Sequence, residues 1–422
     1  MTMIIRILPL LAVLTFLLAG LVIEPPGTAS RDDLITIVSS LPRSGSAKGQ
    51  TDTIVEGINL AIAEADEDPS RPGTQIRLGD KWYTINYLDL DDATAAAGAW
   101  TPEQETSNAN LARRDPNVMA YIGTYNSGAA KISMPILNRA NILMISPANT
   151  SPGLTKPNMG ERDEPKRYRP TGQINYVRVV ATDDLQGPAG AEWAKSMGVR
   201  KVYILDDNEV YGKGVADLFE VHARTIGLEV LGRESIDAKA QEFGALMTKI
   251  RQKGPDLIYF GGTTQSKAGQ IAKDMVKAGM TNCKMMGPDG CYEQAMIASA
   301  GADTLESRFF ATFCGLTPEQ LTETPAGKKF IAAYRAAYGR EPSEAYTLYG
   351  YECGRIAIEA IRKAGKKDRA AICEAGRTIK DFDGITGRFS FDENGDTTLK
   401  DLSGVVVRGG KFEFAKTLSI RE

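Results

Sequence analysis

Residues 118–150 read VMAYIGTYNSGAAKISMPILNRANILMISPANT. Val118 to Ile122 is a short apolar run of strand length, and a helical pattern begins after a loop, near Gly128. Ile142 to Ile145 is a second run of the same kind. Strand, loop, helix and strand in that order make one unit of a parallel sheet, because parallel neighbours need a crossover between them. The unit recurs on both sides. Before it, Leu34 to Val38 is β-branched, Ile54, Val55, Ile58, Ala61, Ile62 and Ala65 are spaced for one buried helix face, and Tyr83 to Leu88 reads as a strand. After it come strands Val202 to Leu205 and Leu257 to Phe260, with helices Val215 to Ile226, Phe243 to Ile250 and Lys267 to Ala278. The alternation restarts around Gln186 to Arg200, which predicts two α/β lobes rather than one very large sheet. Helical patterns at Lys328 to Ala337 and Tyr346 to Ala364 follow, then a short β tail from Gly387.

Composition narrows the function. The 422 residues suggest two or three domains, and 42% hydrophobic against 24% charged residues is enough to build a core. Lys and Arg total 50 against 53 Asp and Glu, a net charge of −3, so no nucleic-acid or anionic-membrane surface is indicated. His222 is the one histidine in the chain, which nearly removes imidazole-based hydrolysis and zinc chemistry. Its place inside a helix pattern marks it as a surface or packing residue. No GxSxG, HExxH or Walker sequence occurs, and Gly212-Lys213-Gly214 lacks the third glycine of a dinucleotide fingerprint. The acidic runs Asp89 to Asp92 and Asp392 to Asp396 do not have calcium-loop spacing and read as ordinary loops. Neither a cofactor nor a metal is expected, and the chain does not read as an enzyme.

The first thirty residues stand apart. Arg6 precedes an uncharged run from Ile7 to Ile23, and small residues follow at Thr28, Ala29 and Ser30. That is the order of a secretory signal, so residues 1–30 are expected to direct export and be removed. An uncleaved anchor is the alternative, the run being at the lower edge of a spanning length. Leu18-Ala19-Gly20 opens like a lipoprotein box, but Leu21 stands where that box needs cysteine. Of the five cysteines, Cys283 and Cys291 flank a Gly-Pro-Asp-Gly turn at a separation that could close, and the pairing is left open. The segment from Pro157 to Pro170 is polar and Pro-bounded; it reads as a solvated insertion, or else as a docking loop.

Open α/β sheets place ligands at the carboxyl ends of their strands. Five such places carry suitable chemistry: Ile122 to Gly128, Ser146 to Thr150, Val210 to Gly212, Gly261 to Thr263 and Gly287 to Gly290. The first joins the Asn126 amide and the Ser127 hydroxyl to a helix start, which suits an anionic group. Together they offer donors from the first half and a carboxylate from the second.

These blocks, with Arg178 through Pro188, Tyr211 to Gly214 and Tyr259 to Gly262, resemble the leucine/isoleucine/valine-binding type of periplasmic solute-binding protein that serves ABC importers. The resemblance runs from about Asp33 to the end. It implies a type I periplasmic-binding fold, two Rossmann-like lobes joined by hinge crossings near Ala181–Asp183, Ala311–Cys314 and Phe391–Gly395. The lobes it implies are 31–182 plus 314–392, and 183–313 plus 393–422. It also implies an amino acid as ligand, a membrane permease as partner and a periplasmic location. By that resemblance Ser127, Ala148 and Thr150 hold the ligand from the first lobe, and Tyr211 and Asp289 from the second. Asp289 takes the place of a glutamate that receives the ammonium group.

Some residues depart from the pattern. Thr263 stands where a tyrosine lines the side-chain pocket, and the loop Leu41 to Gln50 lacks an expected aromatic. The pocket therefore reads as roomier and more polar than one for leucine, with Arg43 and Gln265 as candidates to reach into it. A polar or larger amino acid, or a small amide, fits as well as leucine. A clamp that signals to a partner protein, or an exported enzyme with a carboxylate site, are the competing readings.

Overall fold

The computed structural model describes residues 31–420, so the export segment expected at residues 1–30 lies outside the described part. β1 (Leu34–Leu41) grows from the β-branched run, and seven of its eight residues are buried, as a strand covered on both faces requires. α1 (Lys48–Glu64), β2 (Thr74–Leu78) and β3 (Lys81–Asp91) follow, then a small hairpin of β4 (Ala93–Thr94) and β5 (Ala99–Trp100). α2 (Pro102–Arg114), β6 (Val118–Gly123), α3 (Ser127–Asn138), β7 (Leu143–Ser146) and β8 (Tyr176–Arg178) complete this half. The sheet order is β2-β3-β1-β6-β7-β8, antiparallel only between β2 and β3.

The second half repeats the plan. α4 (Asp183–Ser196), β9 (Lys201–Asp206), α5 (Val210–Thr225) and β10 (Glu229–Ser235) come first. α6 (Gly244–Lys253), β11 (Leu257–Gly261), α7 (Ala268–Lys277), β12 (Lys284–Gly287), α8 (Gln294–Ala300), α9 (Ala302–Leu305) and β13 (Phe309–Phe313) follow. The chain then leaves this sheet for α10 (Pro318–Leu321), α11 (Pro325–Tyr338), α12 (Tyr346–Ala364) and α13 (Arg369–Arg377). After a hairpin of β14 (Phe382–Gly384) and β15 (Gly387–Phe389), it returns as β16 (Leu402–Arg408) and β17 (Lys411–Leu418). The second sheet runs β10-β9-β11-β12-β13-β16-β17, parallel up to β13 and antiparallel thereafter.

α12 packs along α1 beneath the first sheet. The approach is close because both helices present glycine. A methyl group at Gly57 would sit 2.2 Å from the Thr347 carbonyl oxygen, and one at Gly350 would sit 2.2 Å from that of Ile54. Gly350→Ala should therefore push the helices apart and cost about 1–3 kcal/mol of stability, to be read from the midpoint of denaturant unfolding. An unchanged midpoint would show that the pair tolerates separation.

The chain passes between the halves three times, and the three segments are bonded to one another. The Ala181 N–H donates to the Cys314 carbonyl at 3.3 Å, and the Arg178 N–H donates to the Gly395 carbonyl at 3.1 Å. Arg178 is fully buried and pairs with Asp396 at 2.7 Å. Its other N–H groups donate to the Asn149 and Ser151 carbonyls at 3.0 and 2.8 Å and to the Thr155 hydroxyl.

Several sequence readings need correction. β2, β8, β10 and β13, with the helices α2 and α13, were not anticipated, the strands because each is short or carries mixed burial. α5 begins at Val210 instead of Val215, so Tyr211-Gly212-Lys213-Gly214 forms its first turn. Gly212 is there for space: a methyl group on it would lie 2.5 Å from the Gly261 carbonyl oxygen. The run Asp392 to Asp396 is more than a loop, because its last carboxylate answers Arg178. The insertion from Pro157 to Pro170 is pinned down instead of merely solvated. Glu164 and Tyr168 within it are buried and bonded to each other, and Lys131 pairs with Glu164 at 2.7 Å. Arg169 reaches the Asn394 carbonyl at 2.8 Å. Cys283 and Cys291 are not bridged; all five cysteines are free and buried. His222 packs between helices, with Nε2 3.0 Å from Glu192. Among the described residues no helix is long and apolar enough to cross a membrane.

Candidate functional site

The loop after β6 and the loop after β7 are laced together. Ser146 accepts from the N–H groups of Ala148 and Asn149 at 3.2 and 2.9 Å and donates to the Thr124 carbonyl at 3.2 Å. The Asn149 amide donates to the Tyr125 carbonyl at 3.0 Å, and Tyr176 donates to the Asn149 amide oxygen at 3.1 Å. This network fixes the entry to α3. Its cap residue Asn126 is extended and makes no side-chain cap bond, so the first N–H groups of the helix have no partner within it.

Facing this helix start across a narrow chamber is the second half. Asn126, Ser127 and Ala148 line the chamber from one side; Tyr211, Thr263 and Asp289 line it from the other. Six of the seven residues singled out by sequence thus line one chamber from its two sides. Thr150 does not reach it. It is fully buried alongside, and its hydroxyl has no hydrogen-bond partner. Three lining residues went unmarked in the sequence: Tyr125, Gly290 and Tyr346. Tyr125 lay in the quoted loop, but Tyr346 gave no signal beyond opening a helix.

Asp289 is the chemical centre. It is 4% exposed. Its Oδ1 accepts from the Tyr211 hydroxyl at 2.6 Å and from the Gln186 amide at 2.6 Å, and its Oδ2 accepts from the Tyr346 hydroxyl. The Tyr211 oxygen also accepts from the Gly290 N–H at 3.0 Å. Gly290 permits this, since a methyl group there would lie 3.0 Å from the Tyr211 ring. Burial raises the Asp289 carboxyl above its ordinary value, and its three donors hold that rise back. Burial, and then the Asp289 charge, keep both phenols well above their ordinary range, so they act as donors. At one end the chamber therefore offers a helix start and hydroxyls; at the other it offers a dry carboxylate.

A wider cleft adjoins the chamber and shares Asn126, Ser127, Tyr211 and Thr263 with it. Trp100 of the β4–β5 hairpin stands at its rim, an aromatic that the sequence reading did not supply. Gln265 lines this cleft and not the chamber it was expected to enter, donating to Glu293 at 2.8 Å. Arg43 does not reach in. It is held by Asp52 and Asp89 at 2.7 and 2.8 Å, partners on its own half.

Both halves contribute to the closed edge. Tyr346 bonds Asp289 across it, the Gln50 amide donates to the Tyr292 carbonyl at 3.3 Å, and Lys156 pairs with Asp184 at 2.7 Å. Below the chamber, ligating atoms of Asp183, Asp289 and Cys314 lie within 4.8 Å of one another. As a metal site this group is poor. Asp289 already takes three hydrogen bonds, and burial pushes the Cys314 thiol well above its ordinary value.

The family model for periplasmic binding proteins matches residues 35–411 of the chain. The chain belongs to the periplasmic binding protein family. Its members bind solutes and are not enzymes. One relative is the leucine-, isoleucine-, valine-, threonine-, and alanine-binding protein of Pseudomonas aeruginosa, 28% identical over 88% of this chain and 89% of that one. Among solved structures, the leucine binding protein LivK of Thermotoga maritima is 25% identical with a TM-score of 0.77, covering 91% of this chain and 99% of that one. A solute binding protein of an ABC transporter from R. palustris, in complex with 4-hydroxybenzoate, has a TM-score of 0.74 at 18% identity and covers 92% and 97%. As in these periplasmic binding proteins, mostly parallel sheets flanked by helices make up the fold.

Proposed function

We propose that this periplasmic binding protein captures an amino acid, or a similar small zwitterion, between two closing lobes and delivers it to the permease of an ABC importer. The lobes are residues 31–182 plus 314–392 and residues 183–313 plus 393–422. Residues 1–30 direct export to the periplasm. The observation that carries the reading is the chamber's two unlike ends. A ligand carboxylate meets the start of α3 and the Ser127 hydroxyl, with Asn126 beside them, and the ammonium group meets Asp289 beside Ala148, while Thr150 backs the chamber without lining it. Tyr211 orients Asp289, and Thr263 bounds the side-chain end. An aromatic acid such as hydroxybenzoate would satisfy the first end and leave Asp289 unanswered.

Closure follows from linkage. A ligand that touches both halves favours the state in which both are near, and only that preference stabilises closing. Micromolar affinity, about −8 kcal/mol, needs no more than a few charge-assisted bonds in a dry chamber. The test is to purify residues 31–422 without refolding, denature, and identify released small molecules by mass spectrometry, then measure thermal shifts. A stoichiometric amino acid that raises the melting temperature is expected. If none co-purifies and none shifts melting, the amino-acid reading fails.

A further inference from the structure

Beneath the chamber floor, Asp289 has a second carboxylate as neighbour. Asp183, in the first turn of α4, is 1% exposed. One amide joins the two acids: Gln186 Nε2 donates to Asp183 Oδ1 at 2.8 Å and to Asp289 Oδ1 at 2.6 Å. Asp183 Oδ2 is buried with no donor at hydrogen-bond distance, and the buried Thr150 hydroxyl, itself unpaired, lies near enough to ease the carboxylate slightly. Thr150 is tied to Asp183 by its carbonyl, which accepts the Asp183 N–H at 2.9 Å.

Among the described residues no free cation answers this pair. Arg178 of β8 is the nearby base, and its guanidinium is taken by Asp396, two carbonyls and Thr155. Lys156 is turned to Asp184. The other groups facing the pair are neutral acids: Tyr125 before α3, Tyr211 of α5, Tyr259 of β11, Cys291 after β12, Cys314 after β13 and Tyr346 of α12. The start of α4 supplies only a partial positive charge. Two buried carboxylates in such surroundings tolerate one negative charge between them, not two.

We propose that the empty chamber holds one proton shared between Asp183 and Asp289, and that the ligand's ammonium group displaces it, which makes Asp183 a residue that selects for amines. The displacement breaks no covalent bond of the ligand; an N–H donor replaces the O–H, and the proton passes to solvent. The second half of the proposal rests on the amino-acid reading above, whereas the first rests on the pair alone. Burial, and then the charge of Asp289, push the Asp183 carboxyl up to about 8, in line with a proton retained near neutrality. The sign follows. Below that pH each captured amine must expel a proton, so affinity rises with pH, approaching about tenfold per pH unit, and levels off above it. A ligand with no cationic group gains nothing from the exchange.

Infrared difference spectra of the ligand-free protein at pH 7 test the proton directly. Wild type minus Asp183→Asn is expected to show the carbonyl band of a protonated carboxyl, and wild type minus Asp289→Asn the same band, so that one misfolded variant does not decide the matter. Absence of the band from both overturns the proposal. Calorimetry with L-leucine and other L-amino acids, in buffers of different ionisation enthalpy at pH 7, should show proton release by the wild type. Asp183→Asn should bind with an affinity that no longer climbs with pH. Binding by the wild type without proton release also overturns it. If the wild type binds no amino acid, the functional reading falls alone, and the infrared band still decides the shared proton.

Discussion

Replacing Arg178 with methionine is expected to destabilise the protein by about 3–5 kcal/mol. The guanidinium is fully buried and joins three separate stretches: its own strand β8, the loop 149–155, and Asp396 from the last passage between the halves. Methionine fills much of the space but leaves the Asp396 carboxylate, 4% exposed, without its charge partner. An uncompensated buried charge accounts for most of that cost, more than the lost attraction does. Asp396→Asn should cost a similar amount for the converse reason. Removing both partners together should cost less than the sum of the two, because neither charge is then stranded. Denaturant unfolding of the three variants measures this. Additive losses would mean that the two residues act independently and that the pair is incidental.

Asp289→Ala is expected to weaken binding of an amine-bearing ligand by about 2 kcal/mol or more, roughly 30-fold. The substitution removes the one carboxylate that lines the chamber among the described residues and frees the Tyr211 and Tyr346 hydroxyls that point at it. Those two phenols, left without an acceptor in a dry space, add to the loss. Asp289→Asn separates the contributions, since it keeps an acceptor for the phenols while removing the charge. Titration calorimetry with an L-amino acid gives both numbers. Unchanged affinity in the alanine variant would remove Asp289 from the site.

The architecture was legible wherever a pattern was long and periodic. The buried face of α1 and both ends of α12 read directly, because a helix packed on one side repeats its apolar residues at a fixed spacing. The strands with continuous apolar runs read equally well. β2 and β10 did not, since edge strands carry mixed burial and short exposed stretches. The chamber was legible for a related reason. Residues at strand ends are located by the strands themselves, so Ser127, Tyr211 and Asp289 came with the fold. Tyr346 could not be read this way. It arrives on a helix that follows the second sheet yet packs under the first, a juxtaposition set by the glycine contacts between α1 and α12. Arg178 and Asp396, more than two hundred positions apart, leave no local trace of being partners. Arg43 misled because its charge suggested reach, while two nearby aspartates had already claimed it.

Trp100 has a further use. The chain contains three tryptophans. Trp193 is buried edge-on against Phe310, and Trp82 lies under the Arg71 guanidinium. Trp100 alone stands at the mouth of the cleft, its ring against Gly128, where a methyl group would lie only 2.7 Å from it. An event that dries or rearranges that mouth changes the polarity around one indole out of three. The emission of Trp100 is therefore expected to shift when the cleft is occupied, against a background from the other two, and a label-free fluorescence titration with an L-amino acid reads it; a Trp100→Phe variant should lose the shift.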